Sequence, residues 1–192
     1  HIELYLVCGA LPDLEAGVYQ FGVHDMALRQ LRHGDYRSLL VQATGGNQAV
    51  AETPVTLVYT STYWRNAWKY QARTYRHCFW DSGTILANTL TVASALNLPA
   101  RVVAGFLDDE VNLLLDLDSE REVALSLVPL GFSPDRPADP APTMERLNLA
   151  TAPLSATAVD YPAIRAMHTA SSLTSPDEVA VWRDPSKLSP QP

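Results

Sequence analysis

Hydrophobic and polar positions divide the chain into short alternating runs and a few helical faces. Glu3-Leu4-Tyr5-Leu6-Val7 and Gly17-Val18-Tyr19-Gln20-Phe21 alternate with period two and are rich in β-prone residues. The turn-rich Pro12-Asp13 stretch lies between them, so the two runs predict paired strands. Ala27–Leu31 is short and ambiguous. Tyr36, Leu39, Leu40 and Ala43 share one face at helical spacing, and Gly45-Gly46 stops that helix. Val55–Thr60 is a continuous run of the kind a buried strand shows.

From Ala67 to Asn97 there is no proline, and Phe79, Ser82, Leu86, Leu90, Ala93 and Leu96 recur at helical spacing with further apolar residues between them. A helix apolar nearly all round is expected to be central and buried. Pro99 marks its end, Ala100-Arg101-Val102-Val103 reads as a strand, and Asp108-Asp109-Glu110 opens a short helix carrying Leu113, Leu114 and Leu117. Three acids suit the positive N-terminal end of that helix. Val123–Leu130 is a final strand. After Gly131, Pro134, Pro137, Pro140 and Pro142 mark a linker or an arm over a partner. Helices return around Tyr161–Ala170 and at Ser175-Pro176-Asp177-Glu178, where Pro176 suits a first helical position. The expectation is one α+β domain over residues 1–131, then a Pro-rich arm over 132–192 that could lead to a second domain.

Composition narrows the picture. The chain has 192 residues, 47% of them apolar and 18% charged, enough for one domain with a real core. A net charge of −7 argues against general binding to nucleic acid or an anionic membrane, both of which need basic surface. Cys8 and Cys78 are the only cysteines, far apart and without CxxC spacing. Buried small hydrophobes in a reducing cytoplasm are the simplest reading, with neither a disulfide framework nor structural zinc. No apolar run approaches the ~18 residues of a membrane span. The chain starts at His1 and runs at once into a strand, which reads as a domain entered partway.

Two segments could carry chemistry. Trp64 to Arg76 is the densest cluster of basic and aromatic residues, with Lys69 beside Tyr70. A tyrosine can relay a proton or hydrogen-bond a developing anion, and a neighbouring lysine supplies charge. An amphipathic helix with snorkelling basic side chains explains the same residues. Ala104-Gly105-Phe106-Leu107-Asp108-Asp109 follows a strand and precedes a helix, and Gly105 would let backbone approach a flat ligand closely. A plain strand-to-helix turn is the alternative. His24, His33, His77 and His168 show no metal-ligand spacing, so no metal is expected.

In order along the chain, these segments resemble the SagB-type thiazoline/oxazoline dehydrogenases of the nitroreductase superfamily. Ile2–Val7 resembles the family's x-E-x-Y-L-V strand, and Leu14–Tyr19 its L-x-P-G-x-Y segment. Trp68-Lys69-Tyr70 with Arg73, Tyr75 and Arg76 resembles W-K-Y-x-x-R-x-Y-R. Asp81-Ser82-Gly83 and Asn88 fall on a D-A-G-H-x-x-Q-N helix start. Gly105-Phe106 and Asp108-Asp109, then Leu114 and Leu117-Asp118, resemble G-F-x-D-D-x-x-N-x-L-L-G-L-D. The likeness keeps register over residues 2–131.

The resemblance implies a nitroreductase-like α+β fold, a mixed sheet flanked by helices with a buried central helix. It implies a homodimer, or a pairing with a second nitroreductase-like domain, and FMN at the interface. Ala104 and Gly105 would face the flavin N5/O4 edge, while Lys69 and Tyr70 would handle protons in azoline dehydrogenation of a peptide or small-molecule substrate. Thr84 and Ala87 stand where histidine and glutamine are common, and Pro99 and Asp116 replace usual glycines. The arginine-serine pair that grips the FMN phosphate would lie before His1. These departures favour the alternative of a degenerate, non-catalytic scaffold for dimerisation or substrate docking.

Overall fold

The computed structural model describes residues 2–137, 140–147, 149 and 155–184. Five antiparallel strands form one sheet in the order β3-β2-β1-β4-β5: β1 Ile2–Cys8, β2 Gly17–Gly22, β3 Ala27–His33, β4 Val55–Thr62 and β5 Glu122–Leu130. The alternating runs set the register. Tyr5 faces Gln20 on one side and Val58 on the other, and Val7 faces Val18 and Thr56. Ala27–Leu31 proves to be part of an edge strand. Its arginines and glutamine leave no apolar alternation, and an edge tolerates that.

The helices follow local chemistry. In α1, Arg37–Ala43, Leu39, Leu40 and Ala43 face the core, and Gly45 and Gly46 at φ 60° and 72° end the turn. Arg37 is buried but satisfied: it pairs with Asp35 at 2.7 Å and donates to Thr53 O and Asp135 O. A short helix α2, Gln48–Ala51, follows, capped by Asn47. α5, Asp108–Leu114, starts at its three acids and ends against Arg32, which donates to the carbonyls of Leu113 and Leu114. The main core gathers Val7, Leu40, Val58, Val111, Leu114 and Leu127 between the sheet and these helices. At the far end of β1, β4 and β5, Tyr5, Thr60 and Thr62 donate to Glu122, whose carboxyl burial pushes up.

The long helical stretch departs from expectation twice. It is broken: α3, Trp64–Tyr70, gives way at Gln71 (φ 53°) to a 3-10 turn before α4, Thr74–Ala95. Nor is α4 buried all round within this chain. Thr74, Cys78, Ser82 and Ala93 are buried, but Trp80 and Val92 are 58% and 57% exposed, and Phe79 and Leu96 lie open beside them. A single chain offers that helix only one covered side. Residues 100–103 form no strand either. Ala100 and Val103 each make one isolated bridge to β5, opposite Leu130 and Leu127.

Past Gly131 the arm lies against the domain. Arg146 donates to Leu117 O, and Leu147 N–H donates to the side chain of Asp116. α6, Pro162–Ser171, and α7, Pro176–Arg183, appear where the sequence places them. Ser175 and Glu178 cap α7 reciprocally, with Pro176 in its first turn. Among the described residues, no helix is long and apolar enough to cross a membrane.

Candidate functional site

Ala104 and Gly105 lie on the irregular segment between the bridge at Val103 and the start of α5. The arm closes over this segment. Leu107 bridges Leu173, Asp108 N–H donates to Leu173 O, and Leu173 N–H donates back to the Asp108 carboxylate at 2.8 Å. Tyr75 of α4 reaches α6 through a 2.6 Å hydrogen bond between its hydroxyl and Ser171 Oγ. Val179 of α7 is fully buried, and Arg183 donates to Thr44 O and Gly45 O at 2.8 and 2.7 Å. A cavity of about 150 Å³ remains between arm and domain. Tyr75, Phe79, Phe106 and Trp182 supply its aromatic walls, with Ala104, Asp108 and His168 among its lining.

The electrostatics of this cavity are set by burial. Asp108 is raised from its ordinary 3.8 to about 6, chiefly because it is withdrawn from water, against the pull of the Leu173 N–H. His168 is lowered, again by burial, which keeps its imidazole neutral near pH 7.

Gly105 is in direct contact with α7. A Cβ there would sit 2.2 Å from Trp182 Cδ1, so the indole rests in space that only glycine leaves free. The backbone at this point therefore accepts a flat aromatic ring, which is what one edge of a flavin requires. The fit stops at that edge. The cavity is smaller than the ~300–1,000 Å³ usual for ligand pockets, and its lining has no lysine or arginine to hold a phosphate.

Lys69 and Tyr70 occupy the last turn of α3 and do not line this cavity. The Lys69 ammonium lies 5.1 Å from the Tyr70 ring centroid, and the same ring stacks on His77 at 3.9 Å. The reversal at Gln71 folds α3 back so that Tyr70 meets His77. The structure thus joins the lysine and tyrosine to each other, and joins Ala104 and Gly105 to the arm, as two separate groups. Sequence reasoning missed Trp182, His168 and Asp108 as cavity residues. They meet only through contacts between arm and domain, which leave no local signal. Asp116, in a usual glycine position, adopts φ 58°, and aspartate tolerates that left-handed geometry.

A five-stranded antiparallel sheet with α1 and α5 over its core and a long α4 defines an α+β domain of nitroreductase type. The chain belongs to the nitroreductase family, whose description matches residues 20–132. It is similar to the microcin B17-processing protein McbC of Escherichia coli, with 30% identity over 112 residues, 58% of this chain and 41% of that one. The crystal structure of a putative nitroreductase from Anabaena variabilis superposes with a TM-score of 0.73 at 25% identity, over 91% of this chain and 36% of that chain. A chain of the E. coli microcin synthetase McbBCD complex with truncated pro-MccB17 bound gives a TM-score of 0.61 at 27% identity, over 70% of this chain and 52% of that one. The chain spans between two fifths and two thirds of the length of the curated relatives it matches, and a third to a half of these solved chains.

Proposed function

We propose that this domain belongs to an FMN-dependent dehydrogenase of the SagB type that oxidises azoline rings to azoles in peptide natural-product maturation. The observation that carries the reading is the likeness to McbC, a microcin-processing protein, at 30% identity over 112 residues. FMN, when bound, supplies the acceptor for the hydride that leaves the azoline ring. Ala104 and Gly105 would meet the ring edge through their backbone. The matching proton would leave through Tyr70. Tyr70 would accept it as the phenolate, with the Lys69 ammonium, 5.1 Å from the ring centroid, as counter-charge before the transfer, and the resulting phenol would pass the proton on to water.

The open side of α4 supports pairing with a second copy or a second nitroreductase-like domain. Trp80, Val92 and Leu96 expose apolar surface of the kind obligate interfaces cover. The second reading, a scaffold without chemistry, is favoured by one specific contact: the Trp182 indole occupies the face of Gly105 that a flavin would need. The visible spectrum of the natively purified protein, before and after addition of FMN, separates the two. Flavin absorbance that copurifies, or a saturable titration, supports the dehydrogenase. A preparation that stays colourless with added FMN supports the scaffold.

A further inference from the structure

The arm and the domain flank a partly buried carboxylate with no counter-ion among the described residues. It belongs to Asp108, which forms no ion pair among them. The one hydrogen bond its carboxylate accepts from another described residue comes from Leu173 N–H. The charged neighbour acting on it is Asp109, which is repulsive, and the nearby His168 is kept neutral by burial. A buried carboxylate is ordinarily paired, because desolvation is otherwise uncompensated. Tyr75, Phe79, Phe106 and Trp182 line the same cavity, and aromatic faces attract organic cations. Charge and walls ask for the same ligand.

Size narrows it further. A cavity of about 150 Å³ is of the size that takes up a benzene-sized molecule, so the ligand has roughly half a dozen heavy atoms. The arm that completes the cavity is part of the shared fold. The Anabaena likeness covers 91% of the chain, whereas residues 1–131 are only about 68% of 192.

We propose that this cavity is a binding site for a small organic ammonium group, held by the Asp108 carboxylate within the aromatic walls of Tyr75, Phe79, Phe106 and Trp182. The group is either a free alkylamine or the side chain of a lysine borne by a peptide. Trp182, one of these walls, occupies the face of Gly105 that a flavin would need, so the test is made on flavin-free protein, where failure of this site and failure of the dehydrogenase reading are read separately.

The probe is n-butylammonium, with 1-butanol as the neutral ligand of equal heavy-atom count, titrated by calorimetry and by the amide resonance of Leu173. Saturable millimolar binding of the ammonium, at least ~10-fold tighter than 1-butanol, is expected. Asp108→Asn, which keeps an oxygen for Leu173 N–H, should weaken the ammonium about 10-fold and leave 1-butanol unchanged. A lysine blocked at both its α-amino and carboxyl groups separates the sources. Tighter binding than butylammonium assigns the site to a peptide side chain, and weaker binding assigns it to a free amine. Equal affinity for the two butyl ligands, no shift at Leu173, or unchanged binding in the asparagine variant would each overturn the proposal.

Discussion

Gly105→Ala is a clean perturbation because the backbone there needs no left-handed conformation, so only the contact with Trp182 is changed. The new methyl would stand 2.2 Å from Trp182 Cδ1 and 2.9 Å from Nε1, and the indole must move by more than an ångström. Val179 and Arg183 anchor α7 on either side of it, so the helix cannot retreat and the indole must turn outward and lose its contact with the domain. Trp182 is 61% exposed, so roughly two fifths of its surface, ~100 Å² of ~250 Å², is covered. At ~25 cal/mol/Å² that cover contributes up to about 2.5 kcal/mol. Gly105→Ala should forfeit much of it, destabilising the protein by about 1–2 kcal/mol. In a Trp182→Ala background the clash is gone. There the same substitution should be neutral or stabilising by ~0.4–1 kcal/mol, through the lost freedom of the unfolded chain. Urea unfolding of the four proteins, followed by far-ultraviolet circular dichroism, closes the cycle, with an expected coupling of about 2 kcal/mol. Equal destabilisation in both backgrounds would show that the indole does not rest on Gly105.

Three further outcomes follow from the geometry. Asp108 has its folded pKa raised from 3.8 to about 6, so the unfolded chain loses its proton first as pH rises, and stability falls between pH 4 and 6. Discounted for partial exposure, the loss is about 1–2 kcal/mol. Asp108→Asn should therefore raise the melting temperature at pH 7 and leave it unchanged at pH 4, and an unchanged difference between the two pH values would refute this. Lys69→Ala or Tyr70→Phe should lower azoline turnover by ~10²-fold or more with flavin content and melting temperature nearly constant; loss of flavin or of the fold would make the pair structural. Val92→Glu on the open side of α4 should shift light scattering toward a smaller species, and an unchanged mass would place any interface elsewhere.

The strands were legible because alternation is a local property. β1 and β2 carry it, β4 showed instead as a continuous buried run, and these strands and β5 each appear within a residue or two of their expected bounds. The break at Gln71 was not legible. A glutamine at φ 53° carries none of the composition of a glycine or proline break. Residues 100–103 have the β-prone valines of a strand but meet β5 at only two points, so composition overstated their pairing. In the site, Gly105 stood out by its place before a helix, while its partner Trp182 lies 77 residues further along (182 − 105) and no spacing rule links them. A separation of 60 residues (168 − 108) likewise hid Asp108 and His168 as neighbours of one cavity.

The two rims of the sheet constrain how copies of this domain can meet. On the β5 rim, Leu127 exchanges both backbone bonds with Val103, and Gly131 N–H is spent on Pro99 O. On the opposite rim, β3 presents Arg29 at its solvent face, and Arg32 is drawn inward to the end of α5. A foreign strand would find one rim partly occupied and the other guarded by charge, the arrangement that discourages runaway stacking of sheets. Open-ended strand addition is thereby disfavoured, and the pairing proposed through the α4 face is of the kind that can close on itself and stop.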